Sequence, residues 1–254
     1  MIAYEWHALR TLKHTRVVLL TVGMIVLVGS AATSALFGMV SAFGLSADGL
    51  LVALLRLDFA ATIGVTILAV ATTMADMRRG LALPAILRAG SRERVWLAKL
   101  AVAMLSAVVL ALASAAVAVI AVAWAKGMPT SGAVVGYTGR WVLYVLGWAA
   151  MGVGLSSMVK HPLGSVAIPV AIANLVEPIV MTSTAFAPGL HWIRGVMPFN
   201  AGAEFIVGSH SSGLYMAPDH LWQATVVFFG LVCAVLAAGF QTIRRSELVP
   251  ADAA

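Results

Sequence analysis

From Val17 to Ala47 the chain carries no charged residue, a run longer than the roughly 20 apolar residues that cross the hydrocarbon of a bilayer. Further apolar runs follow at Phe59 to Ala75, Leu100 to Ala125 and Trp141 to Val159, then after Pro162, broken only by Glu177, and finally at Leu221 to Ile243. A run of this length meets the hydrogen-bonding demand of its own backbone in hydrocarbon by forming a helix. Hydrophobic residues are 61% of the 254, charged residues 10%, and the mean hydropathy is +0.99, a balance that no soluble domain of this size carries on its surface. The expected class is therefore all-α, a polytopic membrane protein with six transmembrane helices. A net charge of +6 and a pI near 10 raise nucleic acid as a partner, but the basic groups sit at the ends of apolar runs instead of on one soluble face. Membrane orientation accounts for them better.

The longest cationic interruption is Asp76 to Lys99, with six of the sixteen Lys and Arg residues: Arg78, Arg79, Arg88, Arg92, Arg94 and Lys99. Leu81, Leu83, Ile86 and Leu87 lie among them, and Pro84 suits the first turn of a short helix. An amphipathic segment flanked by arginines can rest on anionic lipid or enter a groove on a partner protein; it can also be a solvated loop that only fixes orientation. Residues 1–16 carry Ile2, Trp6 and Leu9 at helical spacing, with Arg10, Lys13 and Arg16 among them, and read as an interfacial helix. An N-terminus inside the cell places twelve of the sixteen cations in the cytoplasm; Arg56, Lys126, Arg140 and Arg194 fall outside. That bias favours six spans with both termini cytoplasmic. A cleaved signal peptide, the competing reading of the first apolar run, would remove a span and reverse the bias.

These features divide one membrane domain, 1–254, into an interfacial helix (1–16), spans one and two (17–75), a cytoplasmic loop (76–99) and spans three to five (100–187). A segment at 188–219, span six (220–243) and a cytoplasmic tail (244–254) complete it. The segment 188–219 is too long for a turn and too apolar for a water-exposed loop, so short helices dipping into the outer leaflet are expected there. No internal repeat marks an inverted-repeat transporter.

Three stretches resemble one family. Arg79-Gly80, Leu83-Pro84, Leu87, Ser91-Arg92, Arg94-Val95 and Ala98-Lys99-Leu100 look like the loop between the second and third spans of ATP-binding-cassette type-2 exporter permeases of actinobacteria. The acidic-aromatic pair that usually opens that motif is here Asp76-Met77. Glu5-Trp6, Leu9 to Lys13 and Thr15-Arg16 resemble the family's amphipathic entry helix. Trp192-Ile193-Arg194 and Met197 to Gly202, with Pro198, Asn200 and Gly202, are similar to its proline-asparagine-glycine signature between the last two spans. The resemblance implies a coupling helix within Arg78 to Arg94 that docks on a separate ATPase, and small re-entrant helices before the last span. It also implies a second permease copy or a homologous permease, two ATPase subunits that hold the ATP and magnesium, and no cofactor on this chain.

Among residues that could carry chemistry, Glu177 is the one ionisable group well inside an apolar run, with Asn174 a turn before it and Pro178 after it. A carboxylate there should face the bundle, lining a pathway or bonding to Asn174 or a freed backbone group. Trp141, Tyr144 and Trp148 form a stripe that could stack a flat amphipathic cargo or could simply pack, and glycines 147, 152 and 154 suit close helix approach. His191, His210, Asp219 and His220 match no zinc spacing, so no metal is expected. Cys233 sits alone in an apolar run and reads as a small hydrophobe. GxxxxGK[ST], HExxH and GxSxG are all absent from the sequence, so ATP hydrolysis would have to come from a partner. The expected function is the transmembrane subunit of an ATP-driven exporter of a hydrophobic or amphipathic compound such as a drug or antibiotic, in a bacterial plasma membrane. A lipid or glycan exporter of the same architecture, and a membrane scaffold or enzyme without an ATPase, are the alternatives.

Overall fold

The computed structural model describes residues 13–39, 44–78, 86–87, 89–159, 161–185, 196–208 and 221–245. Helices account for nearly all of them: α1 (Lys13–Met39), α2 (Ala47–Arg56), α3 (Phe59–Arg78), α4 (Arg92–Lys126), α5 (Ser131–Val159) and α6 (Pro162–Ala171). A π-helical turn (Ile172–Val176) joins α6 to α7 (Glu177–Ala185), and α8 (Pro198–Val207) and α9 (Leu221–Arg245) follow. Five stretches are long and apolar enough to cross a membrane: Ala47–Met74, Arg92–Lys126, Ser131–Val159, Pro162–Val180 and Leu221–Arg245; the apolar part of α1, Leu20–Leu36, is shorter. These fit a polytopic membrane protein.

Two expected boundaries move. α1 runs unbroken from Lys13, so residue 16 does not separate an interfacial helix from a span. The second apolar stretch is a broken pair, α2 then α3, in place of one helix starting at Phe59. Ser46 begins α2 by accepting the Gly49 N–H at 3.1 Å, and Asp48 and Arg56 place their charges to suit the helix dipole. Every residue from Gly49 to Leu55 is buried, so α2 is enclosed on all sides and has no polar face to betray it. Arg56 and Asp58 consequently do not form an external loop; they sit at the break, half-buried and buried respectively.

Contacts fix the directions of the helices. Gly64 lies against Val22 and Val26, Gly29 against Ala60, and Ser30 against Asp58, which makes α1 and α3 antiparallel. Trp96 bonds to Ser157 and Trp141 to Ser114, so α4 and α5 are antiparallel too. Gly147 meets Phe228 and Val232 while Gly154 meets Val235, so α5 and α9 run parallel. Glu93 and Arg244 pair at 2.9 Å. The start of α1, the end of α3, the start of α4 and the end of α9 thus share one end of the bundle, which is rich in arginine. At the opposite end Asp48 accepts the Thr130 N–H at 2.8 Å and its hydroxyl at 2.9 Å, tying α2 to the α4–α5 turn.

α5 is the central helix, and glycine lets α9 approach it. A β-carbon at Gly154 would fall 2.8 Å from the Val235 carbonyl oxygen, and one at Gly239 only 2.7 Å from that of Gly154. Gly154→Leu should therefore push the helices apart at a cost of about 1–3 kcal/mol, read as a lower melting temperature in detergent. Gly230→Leu is the control, since nothing lies within 4 Å of its β-position. Equal melting of both variants would refute the close packing.

Candidate functional site

Pro178 has no N–H to give the carbonyl of Asn174, and its ring crowds that carbonyl. The helix answers by widening: the Glu177 N–H reaches back five residues to the carbonyl of Ile172. Such bulges insert a residue and re-aim the side chain after them. Glu177 ends up 2% exposed, whereas Asn174, Leu175, Val176, Pro178 and Ile179 around it are exposed. The carboxylate meets the first free donors of α8, accepting the Phe199 N–H at 3.0 Å on one oxygen and the Asn200 N–H at 2.6 Å on the other.

The sequence of α8 explains why it needs that partner. Pro198 occupies the first helical position and has no N–H, and Met197 before it offers no side-chain cap. An uncapped helix start buried in the bundle requires an acceptor from elsewhere, and an anion suits it best. Asn200 is 8% exposed and donates its side-chain amide to Glu204 at 2.9 Å. Gly202 leaves room for two rings, since a β-carbon there would lie 2.5 Å from Tyr144 and 2.7 Å from Phe228. α8 ends at Gly208, whose φ of +68° favours glycine and whose β-position is filled by the Arg140 guanidinium.

Trp141, Tyr144 and Trp148 are all buried and pack into the core instead of lining an open surface. Tyr144 is 5.0 Å from Phe228 between ring centroids, and Trp148 is 4.8 Å from Phe199, which locks α5, α8 and α9 together. Trp141 donates its indole N–H to Ser114 at 3.0 Å. The indole N–H of Trp148 is buried beside Tyr144 but outside good hydrogen-bond geometry. Asn174 lies on the exposed face and bonds to its own Val170 carbonyl at 3.0 Å, so it does not pair with Glu177.

Sequence reasoning missed two further buried charges. Asp58 accepts the Ser30 hydroxyl at 2.7 Å and caps α3 through the Ala61 N–H at 3.2 Å. Lys99, counted above with the loop cations, is 6% exposed; its ammonium donates to the carbonyls of Thr72 at 3.1 Å and Thr73 at 3.4 Å. Its position five residues beyond Arg94, on an apolar helix, was the available signal.

At the arginine-rich end, Ile86, Leu87 and Ala89 are helical, and Gly90, with φ +76°, ends that turn by donating its N–H to the Ile86 carbonyl. Ser91 then caps α4 by accepting the Arg94 N–H at 3.2 Å. Leu87 is 75% exposed, Ile86 half-buried, Arg92 half-buried and Arg94 exposed. Lys13, Arg16 and Arg78 lie on the ends of α1 and α3. Trp6, Arg10, Arg79, Leu83, Arg88, Trp192, His191, His210, Asp219 and His220 lie outside the described residues. Among the described residues, no group of three or more His, Cys, Asp or Glu could hold a metal ion.

Compared with models of known protein families and with curated proteins, the chain shows no match.

Proposed function

We propose that this chain is the transmembrane subunit of an ATP-driven exporter for a hydrophobic or amphipathic compound, energised by two separate ATPase subunits that hold the ATP and magnesium. The arginine-rich end is cytoplasmic, as the positive-inside rule requires. α1 serves as a sixth span, and α8 is a re-entrant helix in the outer leaflet. Both termini then lie in the cytoplasm of a bacterial cell.

The observation that carries the reading is Leu87: an apolar side chain, 75% exposed, on a helical turn outside the apolar stretches. The turn is tied to the start of α4, where Arg94 donates to the Ala89 carbonyl at 3.4 Å. Directly after it, Trp96 joins α4 to α5 through Ser157 at 2.9 Å and to α9 through Phe240, 5.4 Å between ring centroids. Lys99 joins α4 to α3. A push on Leu87 would therefore reach four helices.

The core of the single chain is filled with rings, so the passage is assigned to the junction between two permease copies. Pro162–Val180 and Leu221–Arg245 are the least covered of the apolar stretches and suit that junction. The test is co-purification: the tagged chain, expressed together with its neighbouring genes, should retain an ATP-hydrolysing protein on an affinity column and the complex should hydrolyse ATP. A chain that purifies alone from such a co-expression overturns both the reading and the orientation.

A further inference from the structure

We propose that Glu177 is a proton-operated latch: as a carboxylate it pins the buried start of α8 into the bundle, and as a carboxylic acid it releases it. This rests on the geometry of α7 and α8 alone and stands whether or not the ATP-driven reading holds.

A carboxylate offers acceptors on both oxygens, and here each oxygen takes one backbone N–H, from Phe199 and from Asn200. Protonation turns one oxygen into a donor, so one of the two N–H groups loses its partner. It also removes the negative charge that the positive end of a helix favours. Neither loss is made good locally. Pro198 brings no N–H and no polar side chain to the turn and Met197 no cap, and the Asn200 side chain is already committed to Glu204.

Among the described residues, few titratable or charged groups lie near the same place. α2 contributes Arg56 and α5 contributes Tyr144, which lies within electrostatic reach of both Arg56 and Glu177. α8 contributes Glu204, and α9 presents the uncharged ring of Phe228 beside Gly202. Among the described residues the direct polar partners of the Glu177 carboxylate are the N–H groups of Phe199 and Asn200. The docked state binds the deprotonated form, so its advantage is present at higher pH and is lost as pH falls through the titration of Glu177.

The π turn supplies the means of withdrawal. A one-residue shift of the bulge swings a side chain by about 100° around a helix of 3.6 residues per turn. Pro178 has no N–H to lose in either register. Once Glu177 leaves, the start of α8 is free, and with it the ring packing that holds the halves of α5 and α9 away from the arginine-rich end.

The test is amide hydrogen exchange on the full chain in lipid nanodiscs, following 199–207 from about pH 8.5 to about pH 5 with intrinsic exchange rates corrected for pH. At the high end, Glu177→Gln should exchange about tenfold faster than wild type at the start of α8, as loss of one hydrogen bond of ordinary net strength implies. Wild type should approach the variant as pH falls, and the variant should show no pH dependence of its own. Constant wild-type protection across the range overturns the latch, and so does a pH dependence that survives in Glu177→Gln. Exchange in α4 at 100–107 reports whether the variant has folded; if it has not, the wild-type series decides alone.

Discussion

Asp58→Leu is expected to lower the melting temperature of the purified protein by about 10 °C. Asp58 joins three helices: its carboxylate accepts from Ser30 of α1 at 2.7 Å, caps α3 at Ala61, and faces Ser114 of α4, which in turn accepts from Trp141 of α5. Loss of a helix cap costs about 1 kcal/mol, and loss of a hydrogen bond to a charged acceptor costs about 1.5–3 kcal/mol. A total near 2.5–4 kcal/mol corresponds to roughly 5–16 °C for a chain of this size. Leucine also leaves the Ser30 hydroxyl and the Ala61 N–H without acceptors in surroundings where water does not replace them. Asp58→Asn keeps one acceptor oxygen and should lose about half as much, and Ser30→Ala, which removes a single bond, should lose least. Thermal unfolding in one detergent ranks the three. An Asp58→Leu protein that melts with wild type would show that the cluster does not bind α1, α3 and α4 together.

The apolar runs were legible because bilayer thickness sets their length, and the arginine-rich end because its charges cluster in sequence. α2 was not legible. Arg56 and Asp58 look like a loop, and the seven residues Gly49 to Leu55 before them are all buried, so they show neither the length of a span nor the stripe of an amphipathic helix. Ser46 ahead of Asp48 was the one local sign of a capped helix. The inward aim of Glu177 followed from the cost of an exposed charge, but its partners did not, because they are backbone N–H groups 22 and 23 residues away. A proline-started helix with no capping residue, Met197-Pro198, is the signal that could have pointed to them. The spacing of Trp141, Tyr144 and Trp148 gave a shared face correctly; whether that face met cargo or core depended on α8 and α9, which no local pattern places. Lys99 shows the converse error, since a cation beside a basic loop reads as solvated until its long stem is seen to carry the ammonium onto α3.

Leu87→Asp is expected to abolish retention of the ATPase on an affinity column while leaving the bundle intact. Leu87 is 75% exposed, so its replacement removes little packing within the chain, and the Gly90–Ser91 corner that holds its turn is untouched. Apolar anchors that fill a groove commonly carry 2 kcal/mol or more of a protein interface, roughly a 30-fold loss on removal, and a buried aspartate adds an unpaired charge. Rim charges act mainly on encounter and are screened by salt. Arg92→Ala should therefore weaken retention modestly, more at low salt than at high. Arg92 is half-buried and already engaged within the chain, so part of its effect will be on the start of α4. A lipid-binding loop predicts the opposite order: loss of the arginine would loosen membrane contact, while neither change would detach a partner. Retention measured for both variants at two salt concentrations separates these cases, and an undiminished complex with Leu87→Asp would remove the coupling role from this turn.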